Sequence, residues 1–242
     1  MNQVIHWDCL VEMQDIPDKS IDMILCDLPY GTTACKWDTI IPFEPLWEQY
    51  KRIIKDNGAI VLTASQPFTS ALVMSNIKMF KYSFVWDKKL TTGHLSSKIM
   101  PMKRHEDILV FGKGKIVFNP QLTERNEGIR IEKRTEKILG LNDSVYGVHK
   151  TTSSEYSHRQ PTSIIEISNA NRKNRLHPTQ KPVALFEYLI KTYTNEWDLV
   201  LDNCAWSGTT GIACKNLNRR FILIEKKQEY IDIIHKRLDT KD

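Results

Sequence analysis

The chain has 242 residues, 41% hydrophobic and 26% charged, which supports one sizeable core and excludes a disordered polymer. No run of about 18 apolar residues occurs, and the N-terminus "MNQVIHWDCL" has neither the basic nor the apolar region of a signal peptide, so a cytoplasmic protein without a membrane partner is expected. The formal net charge of +5 is mild, but residues 112–175 hold 12 basic against 7 acidic groups while the remainder balances at 22 against 22. The whole excess therefore sits in one segment, as on a surface that meets phosphates or, more plainly, on a solvated loop. Cys9, Cys26, Cys35, Cys204 and Cys214 are odd in number and form no C-x-x-C, so free thiols are expected, with neither a disulfide framework nor a metal site.

Taken in chain order, the first strand is "IDMILCD" (21–27), too short for a helix and rich in Ile, followed by a helix over 43–56 and a strand "GAIVLTA" (58–64). A helix over 67–78 leads to the strand "YSFVWDK" (82–88), after which "KKLTTGHLSSKIMPMKRH" (88–105) carries five basic residues and no acidic one. The strand "EDILVFG" (106–112) closes this part. Residues 113–176 are polar, basic and turn-rich, too long for a structureless loop in a compact domain, and read as an inserted subdomain. Beyond it, "KPVALFEYLIKTY" places Val183, Phe186, Leu189, Ile190 and Tyr193 on one face of a helix over 182–194. The strand "DLVLD" (198–202), a helix over 208–217, the strand "RRFILIE" (219–225) and a helix over 227–238 complete the chain. This alternation predicts an α/β domain around a largely parallel sheet.

Chemistry concentrates where strands end. "CDLPYG" (26–31) follows the first strand, and ligands of open α/β sheets collect beyond such carboxyl ends. Asp27 offers paired acceptors, Pro29 stiffens the turn and Tyr30 presents a flat face, so a planar heterocycle could stack on Tyr30 and give its amino hydrogens to Asp27 and the Leu28 carbonyl. The plainer reading has Asp27 capping a turn and Tyr30 covering the core edge. Similarly, "DNCAWSGTTG" (202–211) has the strand, small-residue turn and helix order of a nucleotide-type cofactor site, and Glu225 lies 23 residues beyond Asp202, where a carboxylate commonly takes ribose hydroxyls. No P-loop and no full G-x-G-x-x-G is present, against ATP and NAD.

"DLPY", then "HPTQKP" (177–182), "LDNCAWSGTTG" and "FILIEKKQEY" together resemble the β-type, circularly permuted amino-group DNA methyltransferases, most nearly those acting on adenine N6. The resemblance spans nearly the whole chain. It implies a Rossmann-like S-adenosylmethionine-dependent methyltransferase fold, circularly permuted, with an inserted target-recognition subdomain: 1–112 as the first catalytic part, 113–176 as the insert and 177–242 as the cofactor-binding part. Asp27, Leu28, Pro29 and Tyr30 match the catalytic D-P-P-Y, with Leu28 where the family has its first proline. Thr179, Gln180 and Lys181 fall in the element facing the methionine part of the cofactor. Asp202, Cys204, Ala205, Trp206, Ser207, Gly208 and Thr209 form the matching turn, Glu225 matches the ribose ligand, and Asp8 with Cys9 stands in an element whose acid meets adenine.

The implied activity is methyl transfer from S-adenosylmethionine to the exocyclic amino group of an adenine flipped out of duplex DNA. Asp27 and the Leu28 carbonyl would draw the amino lone pair toward the methyl group. Cytosine N4 as target, an RNA or protein amide substrate on the same fold, and a DNA-binding relative impaired in transfer stay open as alternatives. The last rests on Trp206, which stands where the family has glycine, as does Trp197; a weakened but retained cofactor affinity is expected. A homodimer and a cognate restriction enzyme are partners the resemblance leaves open. The DNA surface is expected to use Lys88, Lys89, Lys98, Lys103 and Arg104 beside the pocket, and Arg125, Arg130, Arg134, Arg159, Arg172 and Arg175 in the insert. Duplex DNA affinity should then fall steeply, by orders of magnitude, between about 50 and 200 mM salt; a flat salt dependence in a filter-binding or anisotropy titration would remove the basic segments from the interface.

Overall fold

Every apolar run singled out above becomes a strand of one eight-stranded sheet in the computed structural model, which describes residues 2–33, 35, 38–124, 158–169 and 180–239. In chain order the elements are β1 (Gln3–His6), α1 (Cys9–Glu12), β2 (Ile21–Cys26), α2 (Phe43–Ile53), β3 (Ile54–Ala64), α3 (Phe68–Ser75), β4 (Phe80–Thr92) and β5 (Lys103–Phe111). There follow β6 (Thr123–Glu124), β7 (His158–Arg159), β8 (Ile164–Glu166), α4 (Val183–Tyr193), β9 (Leu199–Asp202), α5 (Thr209–Asn216), β10 (Arg220–Glu225) and α6 (Gln228–Asp239).

The strand order is β1-β10-β9-β2-β3-β5-β4-β8. Neighbours from β1 through β3 are parallel, β3, β5 and β4 run antiparallel to one another in turn, and β8 joins β4 in parallel. β2 and β9 lie side by side, yet the chain leaves β2 toward β3 and leaves β9 toward β10 on the opposite side. The crevice at their carboxyl ends is therefore a topological switch point, where open α/β sheets bind ligands. Asp27 follows β2 directly and Asp202 closes β9, so two motifs far apart in sequence meet there.

Successive residues of a strand face opposite sides, and both sides of this sheet are covered. Ile24 and Cys26 pack with Leu46, Tyr50 and Phe68 from α2 and α3, whereas Met23 and Leu25 pack with Leu185, Leu189 and Ile234 from α4 and α6. This is why β2 reads as a near-continuous apolar run without alternation. In α4 the buried face comprises Leu185, Phe186, Leu189, Ile190 and Tyr193, and Val183 is only partly covered. β1, unannounced in the sequence, is four residues long with no fully buried side chain; its parallel pairing with β10 holds it in place.

The chain divides into two units, Met1–Asn119 with Thr162–Asp242, and Pro120–Pro161. The second lies inside the segment 113–176 set apart by composition, and within it Thr123–Glu124 pairs antiparallel with His158–Arg159. The flanks belong to the first unit: the Asn119 amide donates to the Thr192 carbonyl at 2.7 Å, and β8 extends the main sheet with Ile165 buried.

Phe111 is fully buried, its ring 4.9 Å from Trp47 and 5.6 Å from Phe80. Phe111→Ala should lower unfolding free energy by about 3–5 kcal/mol in a denaturant titration; a loss under ~1 kcal/mol would mean that the β3–β5 layer repacks freely.

Candidate active site

Where β2 ends, the Asp27 carboxylate is tied on three sides. Lys181 Nζ donates to both of its oxygens at 2.8 Å, Thr63 at the end of β3 donates to Oδ1, and the Tyr30 hydroxyl lies 2.9 Å from both Oδ1 and Thr63 Oγ1. Lys181 also faces Glu106 Oε2 at 3.3 Å, and Lys88 reaches Glu106 Oε1 at 3.1 Å. Two buried ammonium groups thus alternate with two carboxylates. Burial alone would lower the Lys181 ammonium, but Asp27 and Glu106 overrule it and hold it above the ordinary lysine range. Burial would likewise raise Glu106, and Lys181 and Lys88 instead keep it below its usual value. One face of the Tyr30 ring stacks on Phe68, with centroids 5.3 Å apart and planes at 25°. The loop beyond is drawn in by Asp38, whose carboxylate accepts from the Gly31, Thr32 and Thr33 amides at 2.7–2.9 Å.

The turn after β9 is held by its own acids. Asp202 accepts from the Cys204 amide at 3.1 Å and from the Thr210 hydroxyl. Burial pushes its carboxyl up to about 7. Glu225, at the end of β10, accepts from the Trp206 amide and the Lys227 amide at 2.9 Å each, and burial raises it too. Gly208 caps α5 at φ +76°, and a Cβ there would stand 3.0 Å from Ile234. Trp206 adopts φ +47° and Trp197 φ +69°, the left-handed region that favours glycine. Trp197 is 65% exposed on a surface turn, and nothing in the structure explains its indole. The Trp206 indole points inward, Nε1 donating to the Asp27 main-chain carbonyl at 2.7 Å.

Two cavities of about 510 Å³ each flank this turn. The first is lined by Asp8, Cys9, Ile40, Cys204, Glu225 and Trp206. In it Asp8 caps α1 through the Leu10 amide at 2.9 Å and meets Lys226 at 3.0 Å. The second holds Asp27, Tyr30, Ser65, Lys88, Glu106 and Lys181, and again Trp206. Between them only about 20 Å³ is left, bounded by Gln180, Lys181, Asp202, Trp206, Ser207 and Thr209.

Asp27, Leu28, Pro29, Tyr30 and Lys181 converge on the second cavity, and Asp8, Cys9, Cys204 and Glu225 on the first. Ala205 and Ser207 are buried in the turn, the Ser207 carbonyl and hydroxyl both taking Arg237 Nη1. Among the basic residues assigned to a DNA surface, Lys88 needs correction: it is 6% exposed and faces Glu106 inside the second cavity, because a buried carboxylate captures it. Lys103 also lines that cavity and bonds Ser65. Lys89 pairs with Glu166 and Arg104 with Asp87, while Lys98 and Arg159 lie on the exposed surface. Thr179, Arg125, Arg130, Arg134, Arg172 and Arg175 lie outside the described residues. Thr63 and Glu106 were not singled out from sequence; their only signal is a polar residue interrupting or opening an apolar strand run.

A family model described as DNA methylase matches residues 21–236. The chain is 48% identical to the Type II methyltransferase M2.DpnII of Streptococcus pneumoniae, covering 99% of this chain and 90% of that one. It is 30% identical to the DNA adenine methyltransferase YhdJ of Escherichia coli K12, covering 98% and 82%. Among solved structures, the M1.HpyAVI–SAM complex superposes with a TM-score of 0.67 at 27% identity over 99% of this chain and all of the other.

Asp202 carries a consequence for stability. A free carboxyl titrates near 4 and the buried one at about 7, so the folded state binds the extra proton and this group's contribution is complete below about pH 4 and lost as pH rises through about 7. Asp202→Asn keeps the neutral form throughout. Relative to that variant, the wild type should lose stability as pH rises from about 4 to 7 in matched thermal melts; parallel profiles would show that Asp202 is not held protonated.

Proposed function

The chain belongs to the DNA methylase family, and on that premise we propose that it moves a methyl group from S-adenosylmethionine to the exocyclic amino group of an adenine flipped out of duplex DNA. The observation that carries this reading is the buried Asp27, paired with Lys181 through both oxygens and opening with Tyr30 on a cavity at the switch point of the sheet. A buried carboxylate with no ammonium partner would take up a proton and lose an acceptor. Lys181 supplies that partner, and because Thr63 and Tyr30 gather on Oδ1, Oδ2 keeps a lone pair beyond the one that Lys181 takes. Asp27 can then accept an amino hydrogen and draw nitrogen electron density toward the methyl group, an electrostatic contribution made before the reaction begins.

The donor supplies a sulfonium methyl group, and the first cavity fits its nucleoside end. The cavity volume suits an adenine nucleoside; Glu225, already carrying two amides, has lone pairs for ribose hydroxyls, and Asp8 lines the same cavity for the adenine amino group. The Tyr30 hydroxyl, held by Asp27 and Thr63, fixes the ring at the wall of the base cavity. A base out of its stack loses contacts that such a ring replaces. Lys98 and Arg159 are the exposed cations for phosphates, with the arginines of the insert. No helix among the described residues is long and apolar enough to cross a membrane, and the place of work is the DNA of the cytoplasm, with a cognate restriction enzyme and a second copy of the chain as further partners.

Labelled methyl transfer from S-adenosylmethionine should enter duplex DNA and be recovered as N6-methyladenine after hydrolysis. Asp27→Ala should cost roughly 10²–10³-fold or more in rate. Label recovered as N4-methylcytosine would reassign the base, and label found in RNA or protein and absent from DNA would overturn the reading.

A further inference from the structure

The nucleoside cavity and the base cavity must communicate, because the methyl group belongs to a donor whose adenosine end lies in one and whose reaction partner lies in the other. In this chain an indole belongs to the walls of both. Trp206 lines both, and the space left between Lys181, Asp202, Ser207 and Thr209 is about 20 Å³. That is room for about one water, against about 510 Å³ on either side, and less than an amino-acid arm requires. The residue is held there through both its side chain and its main chain. Its Nε1 donates to the Asp27 carbonyl at 2.7 Å, its main-chain amide is held by Glu225 at 2.9 Å, and its ring meets the edge of Tyr230 at 6.0 Å between centroids. The backbone at φ +47° directs the side chain into the passage, in a conformation that a residue with a Cβ rarely adopts.

We propose that the Trp206 indole is a plug that separates the two halves of the donor site, so that the chain as folded takes an adenine nucleoside freely and the full sulfonium donor only after the indole leaves the Asp27 carbonyl. The inference rests on the cofactor reading of the first cavity and deepens it. Glu225 holds the main chain of residue 206 and not its side chain, so that hold on the turn remains when the indole is removed. The donor's apparent affinity is reduced by the fraction of molecules in the open state, while a nucleoside that ends at the sulfur meets no obstruction. The same bond links the cofactor turn to the main chain of the catalytic aspartate, so its opening also frees the Asp27 carbonyl.

Two ligands separate the effects: 5′-methylthioadenosine, which has the nucleoside and the sulfur but no amino-acid arm, and S-adenosylmethionine. Calorimetric titrations on the wild type, Trp206→Gly and Trp206→Ala should show methylthioadenosine binding all three within about twofold. S-adenosylmethionine should bind both variants about tenfold or more tightly than it binds the wild type, the scale set by breaking one hydrogen bond and displacing a ring. Trp206→Ala retains a Cβ at the left-handed position, so a gain shared by both variants comes from the missing indole and not from relieved backbone strain. Equal S-adenosylmethionine affinities for wild type and variants, or a parallel gain for both ligands, overturns the plug. Methylthioadenosine failing to bind any of the three overturns the cofactor reading itself, and the plug with it.

Discussion

A buried ion pair between residues 154 positions apart holds this site together. Asp27 leaves β2 in the first half of the chain, Lys181 precedes α4 in the second, and their contact at 2.8 Å joins the catalytic loop to the cofactor half. Burying either charge alone would cost several kcal/mol, and removing one partner of such a pair typically costs about 3–5 kcal/mol. Glu106 and Lys88 extend the pair into a four-membered chain of alternating charge, so no member is left uncompensated in the low-dielectric interior. The arrangement serves function before stability. It sets a carboxylate acceptor, paired with an ammonium group, beside an aromatic wall.

The sheet makes that contact geometrically available. Because β2 and β9 are adjacent and their chains depart in opposite directions, the loops after both strands open on one crevice. Each loop is then braced by acids that take main-chain amides: Asp38 for residues 31–33, Asp202 for Cys204, Glu225 for Trp206 and Lys227. Such turns cannot satisfy their amides within regular secondary structure, and side-chain carboxylates take them instead. The acids that shape the cofactor side are therefore structural first, and their remaining lone pairs are what a ligand can use.

Much of this was legible in the linear chain. "IDMILCD", "GAIVLTA" and "RRFILIE" are apolar on both strand faces, a pattern that only a sheet covered on two sides rewards, and each is a central strand. The motifs "DLPY" and "LDNCAWSGTTG" stand at strand ends, so their place in the crevice followed from topology. β1 was not legible, because four half-exposed residues carry no periodic signal and depend on pairing with β10. Nor were Thr63 and Glu106, which gain meaning only from the distance to Asp27 and Lys181. Lys88 misled: in a run of basic residues it reads as a surface cation, and the buried Glu106 across the β4–β5 pair draws it inward.

The sequence by itself determined the class of fold, the order of its motifs and the chemistry they carry, because strand periodicity and motif spacing are local properties. It also marked Trp206 as the residue at odds with its turn. Which way that indole points, and that it lies on the walls of both cavities with a hydrogen bond to Asp27, was decided only by tertiary structure. A side chain's direction depends on its backbone angle and on the partners within reach, and here both Glu225, which takes the Trp206 amide, and Asp27, which takes the indole, come from segments remote in sequence.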